Sequence, residues 1–482
     1  MPQATAALLG ISLLASASFA AEPALTIYNQ NFAVVRDTVP LDLKSGVNEV
    51  RFAGATAQLE PDSVILRDPA GKRALQILEQ NYRNDPISQE LLLSLNEGKT
   101  IPFFRERMKD NTLTRETVMG KIVRSGYVPG GGMEQPIIEV DGQLQFFLPG
   151  QPLFPTLGDN TILKPTLNWL LRADKPGKLD AEVSYVTSGF TWSADYNLVA
   201  PEKGDTVDLI GWITMNNQSG KSFENAKIKL MAGDVNKIQP RQVRNEMRLY
   251  AAKAMVADDN GAAVSEKSFD EFHLYTLSRQ TALRDRETKQ VEFVRAETVK
   301  APSIYVYDGA EAGYRFYGGR NNDPGYGTQS NKKVWVVREF VNAETNRLGV
   351  ALPKGKLRFY RRGDDGQLEF TGENEIDHTP RNETIRVRTG NSFDLVGERK
   401  PTDFKTDRAD KWMTETFEIK LRNRKKEAVE IRVVEHLYRW NNWKITANSA
   451  DYKKTDAQTI EFRVPVQPDE EKVITYTVHY SW

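Results

Sequence analysis

Cysteine is absent from the 482-residue sequence, and its absence excludes several kinds of protein. A chain without thiols forms no disulfide, binds no metal through thiolates and has no cysteine nucleophile. It also lacks the acylated cysteine on which a lipoprotein anchor depends. Packing and hydrogen bonds alone therefore have to hold the folded chain together.

Excess charge of either sign is lacking too, because 65 basic residues balance 65 acidic ones. Nucleic-acid-binding proteins usually present a basic surface, so we expect no nucleic-acid partner. Uncharged apolar runs of membrane-spanning length are also missing beyond residue 20. We therefore expect no integral membrane span.

Motifs that would name a reaction are missing as well. Four histidines occur, none of them in the H-E-x-x-H arrangement of zinc peptidases. The sequence has no G-x-S-x-G elbow, and the triple glycine at 130–132 lacks the Lys-Ser/Thr pair of a phosphate-binding loop. We predict no catalytic residue, no metal site and no cofactor. A non-enzymatic protein is favoured, and an enzyme is the alternative.

The first twenty residues have the layout of a secretory signal peptide. Small and apolar residues run from 6 to 19, and Ser18 and Ala20 supply the small residues of a cleavage site. The run is too short to span a membrane. No basic residue precedes it, and a buried N-terminal helix is the alternative. We predict an exported protein, either periplasmic or extracellular.

Strand patterns fill most of the remaining chain. Apolar and polar residues alternate with a period of two in many segments, among them 179–185, 207–215, 417–421 and 474–482. This alternation is typical of antiparallel sheets that have one buried face. We therefore predict an all-β fold of several antiparallel β-sandwiches, with a small β-barrel-like insertion and few short helices.

The chain exceeds the roughly 100–200 residues of one ordinary domain, so several domains are expected. Breaks in the strand pattern mark their borders. The predicted order is a signal peptide (1–20), an N-terminal β domain (21–105), a small β-barrel-like insertion (106–160), the first part of a large β-sandwich region (161–245), a flexible connector with some strand (246–333) and a C-terminal β-sandwich region (334–482).

Local signals predict several connections. The turn Lys44-Ser45-Gly46 between two alternating runs predicts a hairpin, and Asp141-Gly142 predicts another. Ser88 is a suitable N-cap for a helix over residues 88–95. Strand-turn-strand patterns over 207–230 and 417–433 are similar enough to suggest an internal repeat.

Several segments spread along the chain carry a family resemblance. They are 184–196 (SYVTSGFTWSADY), 211–212 (GW), 217–223 (NQSGKSF), 232–235 (AGDV), 272–277 (FHLYTL), 288–290 (TKQ), 372–380 (GENEIDHTP) and 393–399 (FDLVGER). Together these segments resemble the domain of unknown function 4139 family, some of whose members are labelled mucoidy-inhibitor-like. The resemblance extends over nearly all of the chain beyond the signal peptide. Because the family has no established activity, the resemblance implies a β-rich exported protein and supplies no functional residues.

Aromatic residues interleaved with arginine and asparagine form the most distinctive candidate binding segment. Aromatic faces, guanidinium groups and amides together stack on and hydrogen-bond a sugar or a peptide. The alternative is that the tryptophans cover the end of a sandwich core. The candidate binding residues are Tyr438, Arg439, Trp440, Asn442 and Trp443, and a second aromatic stretch contains Tyr305, Tyr307, Tyr314, Phe316, Tyr317 and Tyr326.

A second candidate is a polar or cation site made of Glu373, Asp377 and His378. A histidine beside carboxylates fits a cation or an acid-base pair. The alternative is a polar turn in which the imidazole satisfies a backbone group.

Three functions follow from these candidates. The first is a non-enzymatic envelope or secreted protein that binds a protein or polysaccharide partner through its loops. The second is a carboxylate-dependent hydrolase of an envelope polymer, which requires Glu373, Asp377 and His378 to converge with a further acidic residue in one cleft. The third is an outer-membrane-associated protein.

Overall fold

The structure is a computed structural model that describes residues 22–109, 112–128, 134–155, 162–233, 235–237, 264–269, 272–310 and 319–482. The predicted signal peptide lies outside the described residues. So do Tyr314, Phe316 and Tyr317 of the second aromatic stretch.

Most of the described residues lie in β-strands and very few lie in helices, which confirms the all-β prediction. The first fifteen strands are β1 (Ala24–Tyr28), β2 (Phe32–Leu43), β3 (Gly46–Ala53), β4 (Ile65–Arg67), β5 (Leu75–Arg83), β6 (Thr100–Lys109), β7 (Thr112–Arg124), β8 (Ile137–Val140), β9 (Gln143–Gln145), β10 (Gln151–Pro152), β11 (Thr166–Ala173), β12 (Gly177–Ser188), β13 (Phe190–Ala200), β14 (Thr206–Asn217) and β15 (Phe223–Ala232). The other fifteen are β16 (Val264–Phe269), β17 (Phe272–Leu277), β18 (Thr281–Leu283), β19 (Glu287–Lys300), β20 (Ser303–Asp308), β21 (Lys333–Val341), β22 (Gly355–Arg362), β23 (Leu368–Ile376), β24 (Thr384–Asp407), β25 (Trp412–Asn423), β26 (Val429–His436), β27 (Trp443–Asn448), β28 (Tyr452–Lys454), β29 (Thr459–Val466) and β30 (Glu471–Ser481).

Helices are few and short in the described residues, as predicted. The one α-helix, α1, covers Gln89–Ser94, and two single 3₁₀ turns cover Pro61–Ser63 and Glu344–Asn346. Ser88 caps α1 as expected, since its hydroxyl oxygen accepts a hydrogen bond from the Leu91 amide at 3.2 Å. The helix presents buried Leu93 to a small apolar core.

The chain divides into two compact units, of which the first comprises residues up to 191 together with 216–230 and 279–288. One of its sheets has the order β4-β12-β2-β1-β15, with β18 also paired to β15, and a second has the order β3-β11-β5. The predicted insertion forms an open five-stranded sheet, β10-β6-β7-β8-β9, packed against Leu93 of α1.

The second unit comprises residues 192–215, 231–278 and 289–482. It contains the hairpin β16-β17, a five-stranded sheet of order β19-β14-β13-β22-β23, and a nine-stranded sheet of order β27-β30-β25-β24-β21-β20-β26-β29-β28. The pairs β13-β22 and β20-β26 are parallel. A shared apolar core joins the two sheets, since Tyr196 and Leu357 of the first cluster with Phe340 and Val387 of the second.

The two predicted hairpins have different outcomes. Asp141-Gly142 does connect paired strands β8 and β9, and both residues have the positive φ that this tight turn needs. The hairpin predicted across Lys44-Ser45-Gly46 is wrong, because β2 pairs with β1 and β12 while β3 pairs with β11. Gly46, at a φ of 95°, turns the chain out of one sheet and into another.

The two segments of the suggested internal repeat each contain a turn with the same hydrogen-bond pattern around a buried asparagine. Buried Asn217, which ends β14, donates to the Lys221 carbonyl at 2.8 Å and accepts from the Ser219 amide. Buried Asn423, which ends β25, donates to the Glu427 carbonyl at 2.8 Å and accepts from the amide two residues on. Neither turn closes a hairpin, because the strands on its two sides take other partners.

Candidate functional site

The nine-stranded sheet folds over on itself, so its two ends share one core. Phe462 of β29 and Tyr476 of β30 come from opposite ends of the sheet, yet their ring centroids are 5.7 Å apart. We call this part of the second unit the C-terminal sandwich. One layer contains β24, β25 and β30, and the other contains β26 and β29.

Two ion pairs lie inside this otherwise apolar core. Nε of Arg399 lies 3.0 and 2.9 Å from the two carboxylate oxygens of Glu435, and Nε of Arg439 lies 2.5 Å from Oε2 of Glu415. All four residues are buried. Arg399 on β24 and Glu435 on β26 come from different layers, so their pair joins the layers. Arg439 belongs to the turn that follows β26, and its pair with Glu415 of β25 ties that turn to the core. Removing charges from water is costly, and the pairs are tolerated because each charge is neutralised and further hydrogen-bonded.

Tyrosines complete the hydrogen bonding of both carboxylates. The Tyr476 hydroxyl donates to Glu435 at 2.5 Å, and the Tyr480 hydroxyl donates to Glu415 at 3.1 Å. Burial raises the pKa of both tyrosines well above the ordinary value, so both hydroxyls keep their protons and act as donors. Burial by itself lowers the pKa of Arg399, but the charge and hydrogen bond of Glu435, together with Tyr476 and the charge of Glu415, outweigh it and raise that pKa.

The two arginines also hold the glycine- and asparagine-rich segment 319–331 against the sandwich. Arg399 Nη1 donates to the Gly327 carbonyl at 2.6 Å. Arg439 Nη1 donates to the Asp323 carbonyl at 2.7 Å, and its Nη2 donates to the Tyr326 carbonyl at 3.0 Å. The core charges therefore fix the conformation of a surface loop.

A histidine-aspartate pair lies at the margin of the same core. His436 Nε2 is 3.0 Å from Asp308 Oδ2, and the imidazole stacks on Tyr438 with ring centroids 4.9 Å apart. Burial by itself lowers the pKa of His436, but the hydrogen bond and charge of Asp308, together with the charges of Glu435 and Asp456, outweigh it and raise that pKa. The other carboxylate oxygen of Asp308 is buried and has no hydrogen-bond partner in the part of the chain that the structure describes.

The predicted aromatic segment lies at one end of the C-terminal sandwich, and its members have different surroundings. Tyr438, Trp440 and Trp443 are half-buried, and Asn442 is exposed and donates to Ser481. Arg439 is different, because its guanidinium points into the core and is fully engaged there. It therefore cannot contact a partner directly.

Two cations lie over tryptophan rings at this end. Lys454 Nζ is 4.7 Å from the Trp443 ring centroid, and the Arg320 guanidinium is 4.1 Å from that of Trp482. The second aromatic stretch meets the first here, since the Arg439 carbonyl accepts from the Asn321 amide. We use the name aromatic end surface for six residues: Arg320, Tyr438, Trp440, Trp443, Lys454 and Trp482.

The predicted polar site does not assemble into a cleft. Glu373 is half-exposed and lies 3.8 Å from Arg358, and the Asp377 side chain is 94% exposed. His378 Nδ1 accepts a hydrogen bond from the Lys354 amide at 3.1 Å, which is the polar-turn arrangement. Among the residues that the structure describes, no group of three or more acidic or histidine side chains is placed to hold a metal ion.

The comparison with protein families gives one result. A model described as "Domain of unknown function (DUF4139)" matches residues 181–482, which is more than half of the chain. The chain belongs to the DUF4139 family. The DUF4139 match begins within β12, so it covers less of the chain than the nearly complete resemblance expected from the sequence. No curated protein matches the chain.

The buried ion pairs lie inside the DUF4139 region, and the motif analysis missed three of their four members. Arg399 ends one of the family-like segments, and Glu415 and Glu435 were not singled out. The strand alternation contains a signal for them, because Glu435 has the same parity as Ile431, Val433 and Leu437. A charged residue at an inward position of a strand predicts a buried partner of opposite charge.

Within the described ranges of the DUF4139 protein, no helix is both long and apolar enough to cross a membrane.

Proposed function

We propose that this protein is an exported, non-enzymatic protein of the cell envelope or of the secreted fraction. In this proposal its aromatic end surface binds a protein or polysaccharide partner. Export rests on the apolar run at residues 6–19 and the small residues that follow it.

One observation carries the binding role. Arg439 lies between Tyr438 and Trp440 in the chain, is buried, and hydrogen-bonds to the carbonyls of Asp323 and Tyr326. The two loops of the surface are thus tied to each other and to the core. A loop surface held in one conformation loses little conformational entropy on binding, which favours affinity.

The chemistry of the surface indicates what the partner presents. Tryptophan, tyrosine and arginine are the residues most enriched at binding hot spots. Arg320 and Lys454 are exposed or half-exposed cations on ring faces, so the surface combines flat apolar area with positive charge. A partner with acidic groups beside apolar or sugar-ring area is complementary to it.

The hydrolase alternative gains no support from the positions of its residues. Its proposed residues are solvent-exposed. Glu373 forms an ion pair with Arg358, and Asp377 forms one with Lys354, so each carboxylate is paired with a basic side chain. The buried carboxylates Glu415 and Glu435 are each already hydrogen-bonded to an arginine and a tyrosine.

The binding test is capture from envelope extract by immobilised residues 21–482, followed by direct titration of the captured partner. Trp443→Ala combined with Lys454→Gln removes one ring and its cation. We expect this variant to lose binding while its circular dichroism spectrum stays close to that of the parent chain. Its melting temperature should be lower, because half-buried Trp443 also packs against the core. Protease-treated extract distinguishes a polysaccharide partner, which survives the treatment, from a protein.

Phe393→Ala is the matched control, because Phe393 is an aromatic residue of the same unit that is 97% exposed and lies outside the surface. We expect it to bind like the parent chain. Equal loss in both variants, or unchanged binding in the Trp443/Lys454 variant, would contradict a role for the aromatic end surface. Export is tested separately by fusing residues 1–30 to a reporter enzyme that is active only after translocation.

A further inference from the structure

A cavity of about 210 Å³ lies in the second unit between its five-stranded and nine-stranded sheets. Its floor is apolar and comes from β13, β14, β21 and β22. Polar side chains from β21, β22, β23 and β24 line the other walls of the cavity. The lining residues that matter for the argument are Arg338, Phe359, Arg361, Thr371, Thr389 and Asn391.

Arg338 brings a positive charge into this cavity, and no carboxylate within the described ranges forms an ion pair with it. The residue is only 4% exposed, and its Nη1 donates to the Ala301 carbonyl at 2.7 Å. Burial lowers the pKa of Arg338, and the nearby charge of Arg361 lowers it further, while Asp205 acts in the opposite direction. A buried guanidinium is normally neutralised by an acidic group in contact with it.

Arg361 adds a second guanidinium to the same cavity. Its Nη1 donates to the Glu202 carbonyl at 2.7 Å, so a neutral oxygen again takes the place of a carboxylate. Among the described residues, neither arginine forms an ion pair. Two like charges beside apolar walls repel each other more strongly than they would in water. An anion between them would remove this repulsion.

The backbone around the cavity is shaped by two β-bulges. Thr389 is the extra residue where β24 pairs with β21, and Thr371 is the extra residue where β23 pairs with β22. Bulges redirect side chains and occur often beside functional sites. Both threonines line the cavity, and their hydroxyls donate to backbone carbonyls at its wall.

Gly372 allows the two bulged strands to approach each other. Its φ is +155°, and a Cβ at this position would lie 2.0 Å from the Thr389 carbonyl oxygen. No other residue type fits there without moving β23 away from β24. The cavity wall therefore depends on a backbone contact that only glycine permits.

We propose that this cavity binds a small oxyanion, such as a phosphate, a sulfate or a carboxylate group, between Arg338 and Arg361. Guanidinium groups bind such anions through pairs of parallel hydrogen bonds. Asn391 accepts from Arg388 through its oxygen, which leaves its amide nitrogen as a further donor. The volume is below the roughly 300–1,000 Å³ of pockets for drug-sized ligands, so it suits one such group.

The anion is either free or the end group of a larger molecule, and the site is independent of the aromatic end surface. The test is isothermal titration calorimetry of the mature chain with inorganic phosphate, inorganic sulfate and a short uronic-acid oligosaccharide. We expect saturable binding of at least one of them at one site. Arg361→Gln should weaken that binding by about tenfold or more, because a charge-assisted pair of hydrogen bonds is lost.

Arg424→Gln is the matched control, since Arg424 is an exposed arginine of the same unit that also donates to a backbone carbonyl, that of Asp469. It should bind like the parent chain. Arg338→Lys keeps the buried charge but loses the planar guanidinium group, and it should also weaken binding while the protein stays folded.

Binding of phosphate or sulfate that depends on Arg361 identifies a free anion site. Binding of the oligosaccharide alone with the same dependence identifies an end group. No binding of any probe, or equal binding by the Arg361 variant, would overturn the proposal.

Discussion

Arg399 and Glu435 form an ion pair that joins the two layers of the C-terminal sandwich, and their side chains are 3% and 0% exposed. They are 36 residues apart in the chain. The pair does more than bridge strands, because Arg399 also donates to the Gly327 carbonyl in the surface loop. Core electrostatics and loop conformation are thus coupled through one guanidinium group.

Breaking this pair should strongly destabilise the second unit. Glu435→Gln leaves the buried Arg399 charge without compensation, and we expect the free energy of unfolding to fall by about 3–5 kcal/mol. Urea denaturation followed by tryptophan fluorescence measures it. Glu461→Gln is the control, because its partner Arg463 is more than half exposed and the change should cost under about 1 kcal/mol. Similar losses in the two variants would show that burial of the pair has little energetic consequence.

The His436-Asp308 pair should make stability depend on pH near neutrality. The folded-state pKa of His436 is raised, so the protonated imidazole stabilises the folded state. This contribution is complete below the unfolded-state pKa of about 6.5 and is lost as the pH rises through the higher folded-state value. Melting temperatures measured between pH 5.5 and 8.5 should therefore fall towards the alkaline end. His436→Gln should flatten that part of the profile, and an unchanged slope would exclude His436 as its cause.

The two asparagine turns should respond alike to the same substitution. Asn217→Ala and Asn423→Ala each leave buried backbone groups without their hydrogen-bond partners, at an expected cost of about 1–3 kcal/mol. Asn448→Ala is the control, because Asn448 is exposed and its side chain makes one hydrogen bond, to the Ala450 carbonyl. Thermal denaturation of the three variants compares them directly. A large effect at one turn and none at the other would mean that they are similar in geometry only.

Gly397 should tolerate no side chain, because Tyr307 packs directly on it. A Cβ at this position would lie 2.2 Å from a Tyr307 ring carbon, and the Tyr307 hydroxyl donates to the Asn331 carbonyl. Gly397→Ala should therefore destabilise the unit by about 1–3 kcal/mol through overpacking and expose residues 319–331 to limited proteolysis. In a Tyr307→Leu background the same change should cost less. Additive costs in this double-mutant cycle would rule out the ring contact as the cause.

Local features of the fold were predictable from the sequence. The Ser88 cap, the Asp141-Gly142 turn and the alternating strands each depend on residues only a few positions apart. The failed hairpin at Lys44-Ser45-Gly46 shows the limit of such signals. A turn predicts that one strand ends and another begins, but it does not determine which strands then pair.

By itself, the sequence determined the strand-rich composition of the chain, the family resemblance and the inward parity of Glu435, since alternation and turn conformation are local properties. Tertiary structure alone decided that Arg439 points into the core, that Glu373, Asp377 and His378 are exposed to solvent, and that Arg338 and Arg361 line one cavity beside two bulges. These outcomes depend on which distant strands pair and on how sheets pack. That choice is made by the free energy of the whole core, which no local pattern contains.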